Sequence, residues 1–454
     1  MLDNSFQKTI FHLTSLVTTW FPRGGAWFFD HTIPPILGNK LLVGHIFKKN
    51  IETVQMVPKF EKILVIPDIH IGDAVMMQGA VQAFRDFFPK ARIDYATKKS
   101  AACLIEGNPA ISNLYPLFTG ETYPSESDVE SIRKLVAENS YDLCFNCSPF
   151  FEDDRLFPKG QKILNFLTCA PQMVRNDIDR LNLNHFLFQS YMFVDKLLKE
   201  TAGDPPLRKA FTGVPVVLSD DAFQKAQNLL TEKNVRQDKP IVLINPDTAS
   251  PFTLIPFEHQ VILLKRMLGM DAKVLFGTAF VHRELEKKIL DALTADEQKK
   301  VVVVPRTLSL DGYAALVDFA DVFISGDTGP LHIAAARKIS RTGKAKFRNR
   351  TFVISVFGAT PARMAGYDST DPLFPPANQD APSRTYVSES PCRNITCVNK
   401  MAKTCGKPRC FEKLDVENII GDIQLHLEKW KRPLAKLPPP VHFEWPVGST
   451  AGRN

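Results

Sequence analysis

The sequence lacks any uninterrupted apolar run of the roughly 20 residues that a membrane-spanning helix requires. It also lacks the basic segment, apolar core and small-residue cleavage site of a secretory signal peptide. No repeat of fixed period is present, so nothing in it indicates a repeat architecture. These absences favour a cytoplasmic globular protein, and the hydrophobic content of 44% is enough for a large core.

Cysteines are few, and most of them are poorly spaced for a metal. Eight cysteines without a secretion signal indicate reduced thiols. The C-terminal cluster lacks the paired C-x₂-C of a zinc ribbon, so no metal is expected there and zinc is only the minor alternative. Its members are Cys392, Cys397, Cys405 and Cys410. Cys144 and Cys147 do form C-x₂-C, but in a predicted strand, where their side chains point to opposite faces, so a structural role is expected.

The charge excess is small and localised. The formal net charge of +7 equals the seven Lys and Arg residues in the stretch 337–350, which contains no acid. Such a run is usually a solvated loop, and a phosphate-contacting loop is the alternative. No nucleic-acid-binding module accompanies it, so no nucleic-acid partner is expected. The aromatic-rich extension, residues 1–60, is expected to pack on the main body, with contact at a membrane surface as the alternative.

Strand and helix patterns alternate in two successive series, which predicts an α/β protein with parallel sheets. One series opens with "KILVIP" (62–67) and the other with "PIVLINPD" (240–247). We therefore predict two Rossmann-like domains, residues 61–235 and 236–425, that face each other across a cleft. Residues 426–454 are expected to form a C-terminal helix and a Pro-rich tail.

The stretch "ISGDTGPLHIAAARK" (324–338) places a Gly-Asp-Thr-Gly-Pro turn between a predicted strand and a predicted helix. Pro330 suits the first helical position, where a missing N–H costs nothing, and Gly329 would be the N-cap. Leu331 and His332 would then offer free backbone N–H groups to an anion, with the hydroxyl of Thr328 beside them. A turn in which Asp327 serves only as a cap is the alternative.

Several stretches, in order, resemble glycosyltransferase family 9, the heptosyltransferases of lipopolysaccharide core assembly. The most specific is "SLDGYAALVDFADVFISGDTGPLHIAAA", and "KILVIPDIHIGDAVMMQGAVQAFRDFFPKARIDY" and "VFGATPARMAG" agree with it. The resemblance implies a GT-B fold, an inverting sugar transfer without an essential metal or cofactor, and a nucleotide-sugar donor, plausibly an ADP-sugar. It also implies a glycolipid or oligosaccharide acceptor at the cytoplasmic membrane face, where the protein would be peripheral.

The same resemblance assigns roles to individual residues. Asp73 matches the general base on the acceptor hydroxyl, with Asp68 and His70 as rival bases and an ordinary helix N-cap as the structural alternative. The residues that would hold the nucleotide diphosphate and the donor sugar are Asp327, Thr328, Gly329, Pro330, Leu331 and His332. His332 could equally be a packing residue.

One departure from the family pattern concerns a phosphate-contacting lysine in the loop after the second domain's first strand. In "SPFTLIPFEHQ", Thr253 and Ile255 stand at that place, and no lysine is present. Thr253, Arg363 or a residue of the basic stretch would have to contact the phosphate instead. The departure keeps a second hypothesis open, that of a sugar-nucleotide or glycan-binding protein with impaired turnover.

Overall fold

A computed structural model describes residues 50–57, 59–67, 70–119, 125–147, 156–165, 186–203, 216–248, 253–277, 283–340, 351–358, 360, 362, 366–368, 383–388 and 409–430. Within these ranges the chain forms two parallel β-sheets with helices packed on them, as the alternating patterns predict.

The first sheet has five strands in the order β3-β2-β1-β4-β5. They are β1 (Lys62–Ile66), β2 (Arg92–Lys98), β3 (Asn113–Phe118), β4 (Leu143–Asn146) and β5 (Ile163–Asn165). The helices of this part are α1 (Ile71–Met76), α2 (Gln78–Phe87), α3 (Ala102–Ile105), α4 (Glu126–Asn139) and α5 (Phe186–Ala202). Every strand pair in this sheet is parallel, which requires the helical crossovers that the sequence pattern indicates.

The second sheet has six parallel strands in the order β11-β10-β9-β6-β7-β8. They are β6 (Ile241–Asn245), β7 (Lys273–Phe276), β8 (Val301–Val303), β9 (Val322–Gly326), β10 (Phe352–Phe357) and β11 (Ser383–Val387). The helices are α6 (Asp220–Glu232), α7 (Phe257–Leu268), α8 (Arg283–Asp291), α9 (Ala295–Lys300), α10 (Leu310–Phe319), α11 (Gly329–Ser340) and α12 (Val416–Glu428). Both sheets thus have the strand order of a Rossmann-like unit.

Both faces of each sheet are buried, which explains why the strands read as nearly continuous apolar runs. Ile63 and Val65 point into a central apolar cluster that also receives Ile241 and Leu243 of the second sheet. Alternate residues of the same strands, such as Leu64, pack in separate outer clusters. The two sheets are therefore joined through a shared apolar layer.

The structure does not test the predicted domain boundaries, which stay a prediction. Helix α6 (Asp220–Glu232) packs on α10 of the second part, and α12 extends to Glu428, beyond the predicted limit at 425. Of the extension, residues 50–57, 59 and 60 are described, and there Phe60 stacks on Phe88 at 4.1 Å between ring centroids. Residues 1–49 and the tail 431–454 lie outside the described residues.

Candidate active site

The strand order of each sheet reverses at one place, and the loops at those two places carry the predicted site residues. In the first sheet the reversal lies between β1 and β4, and Asp73 follows β1 on α1. In the second it lies between β6 and β9, and Thr253 and Asp327 follow these two strands. Open α/β sheets bind ligands in the crevice at this reversal, because the chains leave the two strands in opposite directions.

Residues 327–329, here called the Asp327 turn, connect β9 to helix α11. Asp327, Thr328 and Gly329 are partly exposed, whereas Pro330 and Leu331 behind them are buried. The helix begins at Gly329, one residue earlier than expected, so Pro330 occupies its second position. The N–H of Leu331 donates to the carbonyl of Thr328 at 3.0 Å and is therefore not a free anion donor, contrary to the sequence expectation.

Two threonine hydroxyls support the Asp327 turn from the neighbouring loop. Thr248 Oγ1 lies 3.3 Å from the carbonyl of Asp327, to which it donates, and 2.6 Å from Thr253 Oγ1. Thr253 is only 4% exposed, so its hydroxyl is used within the protein. A phosphate contact by Thr253 stays a prediction. No sequence signal assigned a role to Thr248.

The side chain of Asn245, the last residue of β6, links this strand to β9 by hydrogen bonds. Its amide nitrogen donates to Ser325 Oγ and to the carbonyl of Asp247, both at 3.0 Å. Gly326 lies at the point of closest approach between the two loops, since a Cβ atom there would be 2.6 Å from the carbonyl oxygen of Thr253. The position of the Asp327 turn is thus fixed by backbone contacts that only glycine permits.

His332 lies one helical turn after Gly329 and is 5% exposed. Its Nδ1 is 2.8 Å from the hydroxyl of Tyr367, and its Nε2 is 3.7 Å from a carboxylate oxygen of Asp327. Burial raises the pKa of Tyr367 above its ordinary value, and the negative charge of Asp327 adds to the effect. The tyrosine therefore keeps its proton, and its hydroxyl and His332 Nδ1 share one hydrogen bond. No sequence signal pointed to Tyr367.

Asp73 lies in the first turn of α1, and this helix contacts the start of α11. A Cβ atom on Gly72 would be 3.6 Å from the Cα of Gly329, and one on Gly329 would be 3.5 Å from the Cβ of Ile71. The structure therefore brings the predicted base of the first part next to the Asp327 turn of the second. Tyr95 of β2 holds α1 in place, since its hydroxyl donates to the carbonyl of Ala74 at 2.6 Å.

Burial is the main cause of a raised pKa at Tyr95, and the charges of Cys147 and Asp73 raise it further. Of the rival bases, His70 is the N-cap residue of α1 and makes no side-chain capping bond. Asp68 lies outside the described residues.

The cations proposed to replace the missing lysine are only partly described. Arg337, the first residue of the basic stretch, is 1% exposed and pairs with Asp318, so it is a buried structural residue rather than a phosphate contact. Arg363 and residues 341–350 lie outside the described residues. A phosphate contact from either of them stays a prediction.

The cysteines that the structure describes form no disulfide with one another. Cys144 and Cys147 are buried in different apolar clusters, in agreement with the opposite faces predicted for them. Cys410 is buried in the outer core of the second sheet, and Cys392, Cys397 and Cys405 lie outside the described residues. Within the described ranges, no group of three His, Cys, Asp or Glu side chains could hold a metal ion.

Comparison with known proteins shows which family the chain resembles. The model of glycosyltransferase family 9 (heptosyltransferase) matches residues 206–402, which include the Asp327 turn. Lipopolysaccharide heptosyltransferase 2 of Salmonella typhimurium is 22% identical over 287 residues, which span 61% of this chain and 80% of that protein. The Escherichia coli protein of the same name is 23% identical over the same length. Over residues 206–402 and in these relatives, the chain is similar to glycosyltransferase family 9.

Solved structures agree on the fold. A family 9 glycosyltransferase from Veillonella parvula superimposes with a TM-score of 0.58 at 14% identity, over 83% of this chain and 99% of the other. The E. coli ADP-heptose lipopolysaccharide heptosyltransferase II gives 0.54 at 16% identity, over 81% and 99%. The expected GT-B architecture is therefore confirmed, and the match to the family model supports glycosyltransferase activity.

Proposed function

We propose that this protein is a family 9 glycosyltransferase that transfers a heptose from an ADP-sugar to a lipopolysaccharide-core or related glycan acceptor, with inversion at the transferred carbon. The observation that carries the proposal is the contact between α1, which bears Asp73, and the start of α11 at the Asp327 turn. A base and a leaving-group site on opposite sides of one interface are what a direct displacement requires. The heptose and the lipopolysaccharide acceptor are those of the similar Salmonella and E. coli heptosyltransferases.

The residues divide the chemistry between the two parts of the chain. Asp73 takes the proton from the acceptor hydroxyl as its oxygen attacks the anomeric carbon from the face opposite the diphosphate. The bond between that carbon and the phosphate oxygen breaks at the same time, and the electron pair leaves with the nucleotide. The positive end of α11, twelve residues long, and the hydroxyl of Thr328 stabilise the growing negative charge of the leaving group.

A second function, nucleotide-sugar or glycan binding without turnover, is favoured by one observation. Thr253 stands where the family resemblance places a phosphate-contacting lysine, and it is buried beside Thr248. No lysine or arginine side chain among the described residues of this loop, 246–248 and 253–256, takes that place. The cleft would then bind a donor that it transfers slowly or not at all.

Two variants separate these possibilities. The binding of ADP, UDP, GDP and CDP would be measured by calorimetry on the wild type and on Asp327→Ala. We expect ADP alone to bind, and the substitution to weaken its binding. Asp73→Asn keeps the shape of the side chain but removes the base, so transfer from ADP-heptose should fall by about 10²–10⁴-fold while the Kd of ADP stays unchanged.

Each possible result favours one of the two functions or changes one assignment. Binding of another nucleotide would leave the fold assignment unchanged and indicate a different nucleotide-sugar donor. A wild type that binds ADP without transferring heptose to any core oligosaccharide would favour the binding protein. A transfer rate unchanged in Asp73→Asn would remove Asp73 as the base.

A further inference from the structure

The interface between α1 and α11 has one feature that the proposed chemistry does not require. A Cβ atom on Gly72 would lie 2.6 Å from Cδ2 of His332, closer than carbon atoms approach in folded proteins. Gly72 directly precedes Asp73 in α1, and His332 is in the first turn of α11. The imidazole ring of one part of the chain therefore rests on the backbone of the helix that carries the predicted base.

The ring cannot easily move aside. Tyr367 holds Nδ1 at 2.8 Å, Asp327 lies 3.7 Å from Nε2, and the rings of His332 and Tyr367 meet at 65° with centroids 5.7 Å apart. Both side chains are buried. Because protein interiors are close-packed, a displacement of one such side chain also displaces its neighbours. A buried ring with a hydrogen bond at one nitrogen and a carboxylate beside the other gives α1 a rigid surface of defined height.

We propose that His332 is a positioning residue, whose ring, fixed by Tyr367 and Asp327, sets the distance between Asp73 and the Asp327 turn through its contact with Gly72. The proposal rests on the proposed function, because it assumes that Asp73 acts across this interface. Glycine is required at position 72 because any side chain there would separate α1 from α11. A misplacement of about 1 Å at a reacting pair costs on the order of 10²-fold in rate, so such a contact is large enough to control turnover.

The first test is Gly72→Ala, with Gly421→Ala as the matched control. Gly421 lies within helix α12, and a Cβ atom there would meet no atom within 4 Å. We expect Gly72→Ala to lower kcat by about 10–100-fold and to leave the Kd of ADP within about threefold, since only the separation of the two parts changes. Gly421→Ala should leave both quantities unchanged.

The decisive test combines Gly72→Ala with His332→Ala. Removal of the ring makes room for the new methyl group, so the double variant should recover at least about tenfold in kcat over Gly72→Ala alone. No recovery, or a Kd of ADP that rises in His332→Ala as steeply as kcat falls, would overturn the proposal. In that case His332 would be a donor ligand or a simple packing residue.

Tyr367→Phe provides a variant that keeps the packing volume and removes the hydrogen bond to Nδ1. It should lower kcat by about three- to tenfold at an unchanged Kd, because the ring loses one of its two anchors. An unchanged kcat in a folded Tyr367→Phe protein would show that the anchored ring does not set the distance.

Hydrogen exchange separates this proposal from the proposed function, because it needs no turnover. In ADP-bound protein, Gly72→Ala should increase exchange of the amides in residues 71–77 and 329–333, and the double variant should restore slow exchange. If the wild type transfers no sugar but shows this pattern, the contact is real and the proposed function is wrong. If exchange is the same in all variants, the positioning role is wrong whatever the activity.

Discussion

At the scale of single residues, Gly326 shows how one missing side chain fixes the geometry of a site. It ends β9 directly before Asp327, and the nearest atom to a Cβ there would be the carbonyl oxygen of Thr253, at 2.6 Å. A backbone atom cannot rotate away as a side chain can. Gly326→Ala should therefore lower the free energy of unfolding by about 1–3 kcal/mol and displace the Asp327 turn.

The displacement can be measured apart from the loss of stability. Thermal unfolding with and without ADP would show a smaller ligand-induced increase in Tm for Gly326→Ala than for the wild type. The variant Gly269→Ala is a suitable control, since a Cβ there meets its nearest atom at 3.4 Å, an ordinary contact. Equal ADP stabilisation of Gly326→Ala and the wild type would mean that the turn tolerates the displacement.

The site residues differ in how far the sequence could predict them. Asp73 and the Asp327 turn were predictable, because both follow strands at the ends where parallel sheets bind ligands. The contact of Gly72 with His332 and the hydrogen bond from Tyr367 were not, because each joins residues far apart in the chain. Local patterns contain no information about which distant side chain reaches a given ring.

At the scale of elements, α11 is held at both ends. The Asp327 turn and His332 fix its start, and Arg337 fixes its last turns. The guanidinium of Arg337 pairs with Asp318 of α10, donates to the carbonyl of Val216 and lies 5.8 Å above the ring of Phe223. These contacts tie the helix of the predicted diphosphate site to α10 and to the segment that leads into α6.

Removal of one partner of this pair should be costly. Arg337 and Asp318 are both 1% exposed, so Arg337→Met leaves a buried carboxylate without its cation. We expect a loss of about 3–5 kcal/mol in the free energy of unfolding, measured by urea denaturation. The double variant Arg337→Met with Asp318→Leu should recover most of it, because no charge is then buried.

The exposed pair of Lys287 and Asp291 on α8 provides the control. Lys287→Met should change stability by less than about 1 kcal/mol, since both side chains remain in water. Similar losses for Arg337→Met and Lys287→Met would contradict the structural role of the buried pair.

The elements were predicted in type more securely than in extent. The pattern "AVMMQGAVQAFRDFFPK" predicts one helix, and the structure divides it at Met77 into α1 and α2. Strands β3, β5 and β11 are hard to predict from the sequence. Strand β3 contains Pro116, β5 is only three residues long, and β11 is half exposed at an edge of its sheet. Edge strands give weak signals, since only part of their surface is buried.

At the scale of the whole molecule, two sheets of the same strand order place their reversal points at one interface. The sequence predicted two α/β units from the restart of the strand pattern at residue 240. The distance between the two units depends on the shared apolar layer and on the contact between α1 and α11. Both are tertiary contacts, which local sequence patterns do not predict. Among the described residues, no helix is long and apolar enough to cross a membrane.

Buried tyrosines on both sides of this interface make the protein less stable at alkaline pH. Burial raises the pKa of Tyr95, Tyr313 and Tyr367 well above 10, the ordinary value of a tyrosine. Above about pH 10 the unfolded chain loses these protons while the folded chain keeps them. The unfolded state then binds fewer protons, so the free energy of unfolding must fall as the pH rises. Tyrosinate absorbance should therefore increase together with the loss of helical circular dichroism.

Tyr313 allows this dependence to be tested at one position. Its hydroxyl is buried and has no hydrogen-bond partner among the described residues, whereas that of Tyr95 donates to the carbonyl of Ala74. Tyr313→Phe removes an unsatisfied polar group, so at neutral pH it should raise the free energy of unfolding by about 0.5–2 kcal/mol. Above pH 10 the free energy of unfolding of the variant should fall less steeply with pH than that of the wild type. The difference in slope should correspond to about one proton. Tyr95→Phe should show the shallower slope but lose stability at neutral pH, because the carbonyl of Ala74 then lacks its donor. A Tyr313→Phe variant that is less stable than the wild type at neutral pH would show that the hydroxyl has a partner.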